Sequence, residues 1–180
     1  KAGDAFCKKQ TEAIWRTEQQ EYICEQIGAV LEETGIGHIF LKGAAIRRLY
    51  PLPWLRTGVD VDILVRKEEQ ETVIALLCQR LGCTPGLRTP YDAKLIFPSG
   101  QNTELHVKLS GIASAEEALS GVWEMSIPAP GKQWERLLPP ELFYLYHVAH
   151  MAKHFEQGGC GIRPLMDLWI LEKTMPRDEK

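Results

Sequence analysis

From about Asp4 to Thr34 apolar residues return at helical spacing, at Ile14, Ile23, Ile27, Val30 and Leu31, and Gly35 follows as a stop. HIFLK, His38 to Lys42, reads as a short buried strand. GAAIRRLY predicts a helix that opens at Gly43 and is ended by Pro51 to Pro53. Val59 to Val65 alternates apolar and acidic positions and forms the next strand. Lys67 to Gly82 predicts an amphipathic helix, acidic in its first turn, with Gly82 as its C-terminal stop. AKLIF and TELHVKL flank the turn-rich PSGQN and predict an antiparallel hairpin. A short helix near Ala115 to Val122 and a connector over Ile127 to Trp134 come next. A long helix from Pro140 to Glu156, a break at GGCGIR and a last helix from Pro164 to Lys173 complete the chain. This order predicts an α+β fold: a small mixed or antiparallel sheet flanked by helices, not a doubly wound one. The expected division is a core over 1–128 and a C-terminal helical subdomain over 129–180.

Composition narrows the field. The 180 residues are 44% apolar and 25% charged, as in a soluble globular protein. A net charge of −3 and a pI near 6.0 exclude a chain that binds polyanions over its whole surface. The longest apolar runs are too short to cross a bilayer, so no membrane partner is expected. Five cysteines, odd in number and without a Cys-x-x-Cys pair, argue against a disulfide framework and for reduced thiols in the cytoplasm. Lys1 stands where an initiator Met would, which predicts a processed or trimmed segment. MPRDEK at the other end predicts a cut within the helical subdomain, with part of an acceptor site beyond it.

The informative stretch is RTGVDVDILVR, Arg56 to Arg66. Strand alternation sends Asp60 and Asp62 to one face and Val59, Val61 and Ile63 to the other. The two carboxylates then stand about 6–7 Å apart along the strand. Like charges so placed call for a cation, and a hard divalent ion with oxygen ligands fits. The plainer alternative is an edge strand with a solvated acidic face. In TELHVKL, Thr103, Leu105, Val107 and Leu109 share one face, and Glu104, His106 and Lys108 the other. If that strand neighbours the aspartates, Glu104 becomes a third carboxylate; otherwise the hairpin merely faces solvent. Upstream, the turn from strand to helix at Gly43 offers unpaired amides to an anion, with Lys42 and Arg56 able to add positive charge.

A Gly-led helix after a strand, the Asp-x-Asp strand and a later strand acid together resemble the DNA polymerase β-like nucleotidyltransferase superfamily. FLKGAAIRRLYPLPWLRTGVDVDILV, TELHVKL, LFYLYHVAHMAKHF and IRPLMDLWIL resemble more narrowly a bacterial group described as uncharacterised nucleotidyltransferases. The resemblance implies a transferase that moves a nucleoside monophosphate from an NTP, ATP first, to an acceptor hydroxyl, releasing pyrophosphate. It implies that Asp60, Asp62 and Glu104 are catalytic and hold two magnesium ions, which manganese can replace. It also implies that Lys42, Gly43, Ala44 and Arg56 meet the nucleotide. Ala44 departs from the Gly-Ser or Gly-Gly of the superfamily, so a serine hydroxyl for phosphate is missing. The acceptor is not specified, and no extended nucleic acid is expected. A second reading is a non-catalytic relative that serves as a nucleotide-binding or antitoxin-like interaction module. A glycosyltransferase or a phosphatase using Asp-x-Asp fits less well: the first needs a larger domain, the second an unbroken apolar strand before Asp60.

In the long C-terminal helix Phe143, His147, His150 and His154 fall on one stripe, with Leu145, Val148, Ala149, Ala152 and Phe155 opposite and expected to pack on the domain. Three roles are open to the histidines: zinc ligation, lining of the nucleotide cleft by His150 and His154 together with His106, or hydrogen bonding to Asp167 or Arg163. Asp167 itself reads as a packing partner.

Overall fold

The computed structural model describes residues 2–110, 112–156 and 158–175, so the expectations about Lys1 and the last five residues lie outside the described residues. Helix α1 runs Ala2–Thr34 and ends at Gly35, whose φ of 75° suits only glycine comfortably. Strand β1 (His38–Leu41) leads directly into a short α2 (Lys42–Ile46) and a 3-10 turn at Arg47–Leu49. Strand β2 (Asp60–Val65), α3 (Gln70–Leu81), β3 (Thr84–Arg88), β4 (Asp92–Ile96) and β5 (Asn102–His106) follow. Beyond them come α4 (Ala113–Ala118), α5 (Val122–Met125), the small pair β6 (Ile127–Pro128) and β7 (Arg136–Leu137), α6 (Pro140–Glu156) and α7 (Arg163–Thr174).

The five-stranded sheet has the order β1-β2-β5-β4-β3. β2 and β5 run parallel, and their neighbours pair antiparallel. One face of it is covered by α1 and α3. Val61, Ile63 and Val65 pack there with Leu105 and Leu95, against Ile23, Ile27, Leu31, Val73 and Leu77. The other face carries a second core in which Ile39, Leu41 and Leu64 meet Ile46, Tyr50, Leu142, Phe143, Tyr146, Ile170 and Leu171. The period-2 pattern of β2 therefore gives its aliphatic set to the first core and its aspartates to the side on which the C-terminal helices pack.

Four expectations need correction. Val59 is 62% exposed, because it precedes the strand and never enters the pleat. Ile14 is 37% exposed; the buried stripe of α1 starts only at Thr17 and Gln20. Thr84–Arg88 is a strand that periodicity misses, since it lies at the sheet edge, mostly exposed, with Pro85 and Gly86 inside and an irregular register. The connector from Ile127 opens with β6, which pairs with β7 just beyond it, and the loop between the two is held by the Glu32 carboxylate, which accepts the amides of Gln133, Trp134 and Glu135 at 3.0, 2.7 and 2.5 Å.

Candidate active site

The parallel register sets Asp62 opposite Glu104, Asp60 opposite Asn102 and Leu64 opposite His106. Directly paired residues share a face, so Glu104 and His106 stand on the aspartate side of the sheet. His106 Nε2 lies 2.8 Å from Asp62 Oδ1 and 3.5 Å from Glu104 Oε2. Each of Asp62, Glu104 and His106 offers one ligand atom within 4.8 Å of the others, a spacing that could hold a metal ion. Asp60 stands outside that trio, two residues back along β2. Its Oδ1 is buried and, among the described residues, has no hydrogen-bond partner, a state that a cation would relieve.

Lys42 answers the charge problem of the aspartate strand. Its Nζ donates to Asp62 Oδ1 at 2.5 Å. Lys42 is the first residue of α2 and has φ 44°, the left-handed region that non-glycine residues occupy at a cost of about 1–3 kcal/mol. The helix thus opens one residue earlier than its sequence predicts. Burial pushes the Asp62 carboxyl upward, but the Lys42 ammonium and His106 outweigh it and hold Asp62 well below the usual carboxylate range. Glu104 moves the other way, raised by burial and by the charge of Asp62. Neighbouring carboxylates whose affinities for a proton diverge suit one fixed anion and one proton acceptor.

The expected nucleotide residues are spread more widely. Gly43 is buried, and a Cβ there would lie 3.4 Å from Arg56 Nη1 and 3.6 Å from Arg47 Nη2. Arg47 is itself buried and donates to the Gly43 carbonyl at 2.8 Å and to Gln20 Oε1 at 2.6 Å. Ala44 packs against the first core. Arg56 forms a buried fork on Asp167: Nε donates to Oδ1 at 2.7 Å and Nη2 to Oδ2 at 2.8 Å. Tyr50 Oη donates to the same Oδ1 at 2.7 Å. Asp167 is thus the packing partner expected of it, with an arginine and a tyrosine rather than a histidine as its ligands.

Helix α6 turns a different face inward from the one expected. Leu142, Phe143, Tyr146, His147 and Ala149 are buried, whereas Leu145 and Phe155 are exposed. Tyr146 is the anchor: it fills the second core, and the histidine stripe follows it inward. His147 donates from Nδ1 to the Phe143 carbonyl at 2.8 Å, and among the described residues its Nε2 has no partner. His150 and His154 approach each other at 3.0 Å through their Nε2 atoms. Burial, then Lys42, lowers His150 to about 3, so it is neutral in the fold. These three histidines line, with Lys42, Arg56 and Arg163, a cleft of about 540 Å³. His106 sits with the acids instead.

No curated protein matches the chain. Among solved structures, the solution structure of the antibiotic-resistance factor ANT(2'')-Ia aligns with 87% of this chain and 84% of its own, with a TM-score of 0.63 and 13% identity. The crystal structure of ANT(2'')-Ia in complex with adenylyl-2''-tobramycin covers 86% and 88%, with a TM-score of 0.63 and 14% identity. An antigenic nucleotidyltransferase-like protein from Paracoccidioides brasiliensis covers 87% and 76%, at 0.55 and 16%. At such identities the likeness is one of fold. The family described as uncharacterised nucleotidyltransferase matches residues 3–178, and the chain belongs to that family.

Proposed function

We propose that the protein transfers a nucleoside monophosphate from an NTP, ATP first, to an acceptor hydroxyl with release of pyrophosphate, and that the reaction requires magnesium or manganese. The observation that carries this reading is the β2–β5 register, which joins Glu104 to the aspartate face. The unpartnered buried oxygen of Asp60 fits a bound cation, and so does the oxygen-rich donor set. Asp60, Asp62 and Glu104 would hold two ions, which when bound neutralise the triphosphate and lower the pKa of the attacking hydroxyl.

The chain's own residues do the rest. Glu104, beside Asp62 across the strand pair, takes the acceptor proton. Lys42 exchanges Asp62 for a phosphate oxygen, and the Gly43 amide adds a donor beside it. The cleft under α6 receives the remainder of the substrates, with His150 and His154 as neutral hydrogen-bonding groups. Charges facing the cleft include Lys42 and Arg163, and Asp167 is neutralised by Arg56, which favours a neutral or anionic acceptor over a polycationic one.

The test is pyrophosphate release from each NTP against an acceptor panel, with and without magnesium. The double change Asp60→Asn/Asp62→Asn should abolish metal-dependent release, by about 10³-fold or more if both carboxylates act on the transition state. A second reading, a nucleotide-binding module without catalysis, is favoured by Ala44 in place of a phosphate-binding serine. Metal-dependent ATP binding with no turnover on any acceptor would select it.

A further inference from the structure

We propose that His106 binds the metal directly through Nε2, so that this centre favours a first-row transition ion such as manganese(II) over magnesium. The inference rests on the metal-dependent reading above and assigns a ligand that the superfamily resemblance, with its three carboxylates, does not imply. Its basis is position. His106 lies two residues beyond Glu104 on β5, so the pleat returns it to the carboxylate face. Its Nε2 stands 2.8 Å from Asp62 Oδ1 and 3.5 Å from Glu104 Oε2. Two metal bonds of about 2.1 Å put their donor atoms about 3.0 Å apart at a right angle and about 3.4 Å apart at a tetrahedral one. The 3.5 Å separation is that of neighbouring ligands around a single ion, and the 2.8 Å one, a hydrogen bond here, needs to open by only about 0.2 Å to become so.

Chemistry points the same way. Asp62 Oδ1 now accepts from both Lys42 Nζ and His106 Nε2, so two groups share one oxygen in the place where a cation is wanted. A magnesium ion takes oxygen donors almost alone, whereas imidazole is a ligand of the first-row transition ions, strongest for nickel, copper and zinc, with manganese(II) at the weak end of that series. One nitrogen among the oxygens therefore shifts the preference toward transition ions without creating a site of the all-nitrogen or sulfur type.

Manganese(II) alone, titrated into the full chain, supplies the probe. Competition should show manganese binding about tenfold or more tighter than magnesium, a gap of about 1.4 kcal/mol. Pulsed electron paramagnetic resonance should show an imidazole nitrogen coupled directly to the bound ion. His106→Gln should remove that coupling and weaken manganese binding. His106→Asp should restore tight binding without a nitrogen signal and narrow the preference over magnesium. His154→Ala should leave the coupling in place, which separates His106 from the α6 pair. Bound manganese without nitrogen coupling in the unchanged protein, or coupling that survives His106→Gln, would overturn the inference while leaving the metal-dependent transferase intact. Failure of both ions to bind, with and without ATP, would overturn both readings.

Discussion

Asp167→Ala should be among the most damaging single changes outside the acidic face, and for reasons of structure. The side chains of Arg56 and Asp167 are 10% and 4% exposed, so their fork is almost wholly out of water. Removal of the acid strands a guanidinium in the interior, at a cost of about 3–5 kcal/mol for a broken buried pair. Tyr50 Oη loses its acceptor at the same time, worth about 1 kcal/mol more. Against a whole-protein stability of about 5–15 kcal/mol the loss is large. Urea unfolding followed by far-ultraviolet circular dichroism, with a slope of about 2 kcal/mol/M, should show the midpoint falling by about 2–3 M. The double change Arg56→Met/Asp167→Leu removes both charges and should regain most of that loss, because no ion is left unpaired. A loss below about 1 kcal/mol for Asp167→Ala, typical of an exposed pair, would refute the reasoning. So would a double variant no more stable than the single one. The double variant also decides what Arg56 does. If it is chiefly a structural cation, ATP affinity should change by less than about tenfold, or about 1.4 kcal/mol.

Two further changes separate fold from chemistry. Gly43→Ala should leave the urea midpoint nearly unchanged, since a Cβ meets Arg56 Nη1 and Arg47 Nη2 at 3.4 and 3.6 Å and Gly43 has no left-handed backbone to lose. Its ATP affinity, read by calorimetry, should fall by about tenfold or more if a phosphate rests on that backbone, and an unchanged affinity would remove Gly43 from the phosphate site. His150 supplies a pH test. Burial and Lys42 hold it at about 3 in the fold, against an ordinary value of 6.5, so on acidification the unfolded chain takes up the proton first. Its contribution is complete above pH 6.5 and is lost progressively as the pH falls toward 3. Urea midpoints of the unchanged protein and His150→Asn should therefore converge between pH 7 and pH 4, and parallel curves would refute the assignment.

What could be read in the chain beforehand is what depends on neighbours in sequence. The alternation around Asp60 and Asp62 declared both the core face of β2 and its polar face, and Val61 and Ile63 are fully buried as that pattern requires. Gly35 and Gly82 marked helix ends because both adopt positive φ, at 75° and 67°. Helix α6 has the bounds its pattern predicts, yet it buries a different face from the most apolar one. Leu145 and Phe155 are more apolar than the histidines, but Tyr146 and Phe143 bring more surface to the second core and set the rotation. Two features had no local signal. The Arg56–Asp167 fork joins residues 111 positions apart. The Lys42–Asp62 contact depends on a strand register and a left-handed residue that no periodicity reports.

That last contact decides how the acidic face is to be understood. The register pairs Leu41 with Asp62, so the residue after Leu41 leaves β1 beside the carboxylate it must neutralise. Without a cation, Asp62 at 5% exposure would have to be protonated or the local packing would have to open. Lys42 removes that need and lets the face form before any ion or nucleotide arrives. Yet the ammonium reaches only Asp62; Asp60 keeps a buried oxygen without a partner, and Glu104 holds its proton more tightly than usual. The compensation is therefore partial, and the charge left over is what the divalent ions of the proposed reaction would neutralise. An interior designed only for stability would carry no such residue of charge, since apolar side chains of similar volume would pack there at less cost. The strained lysine and the unsatisfied aspartate are on this account two halves of one arrangement, in which the resting fold is kept intact by the Lys42 ammonium.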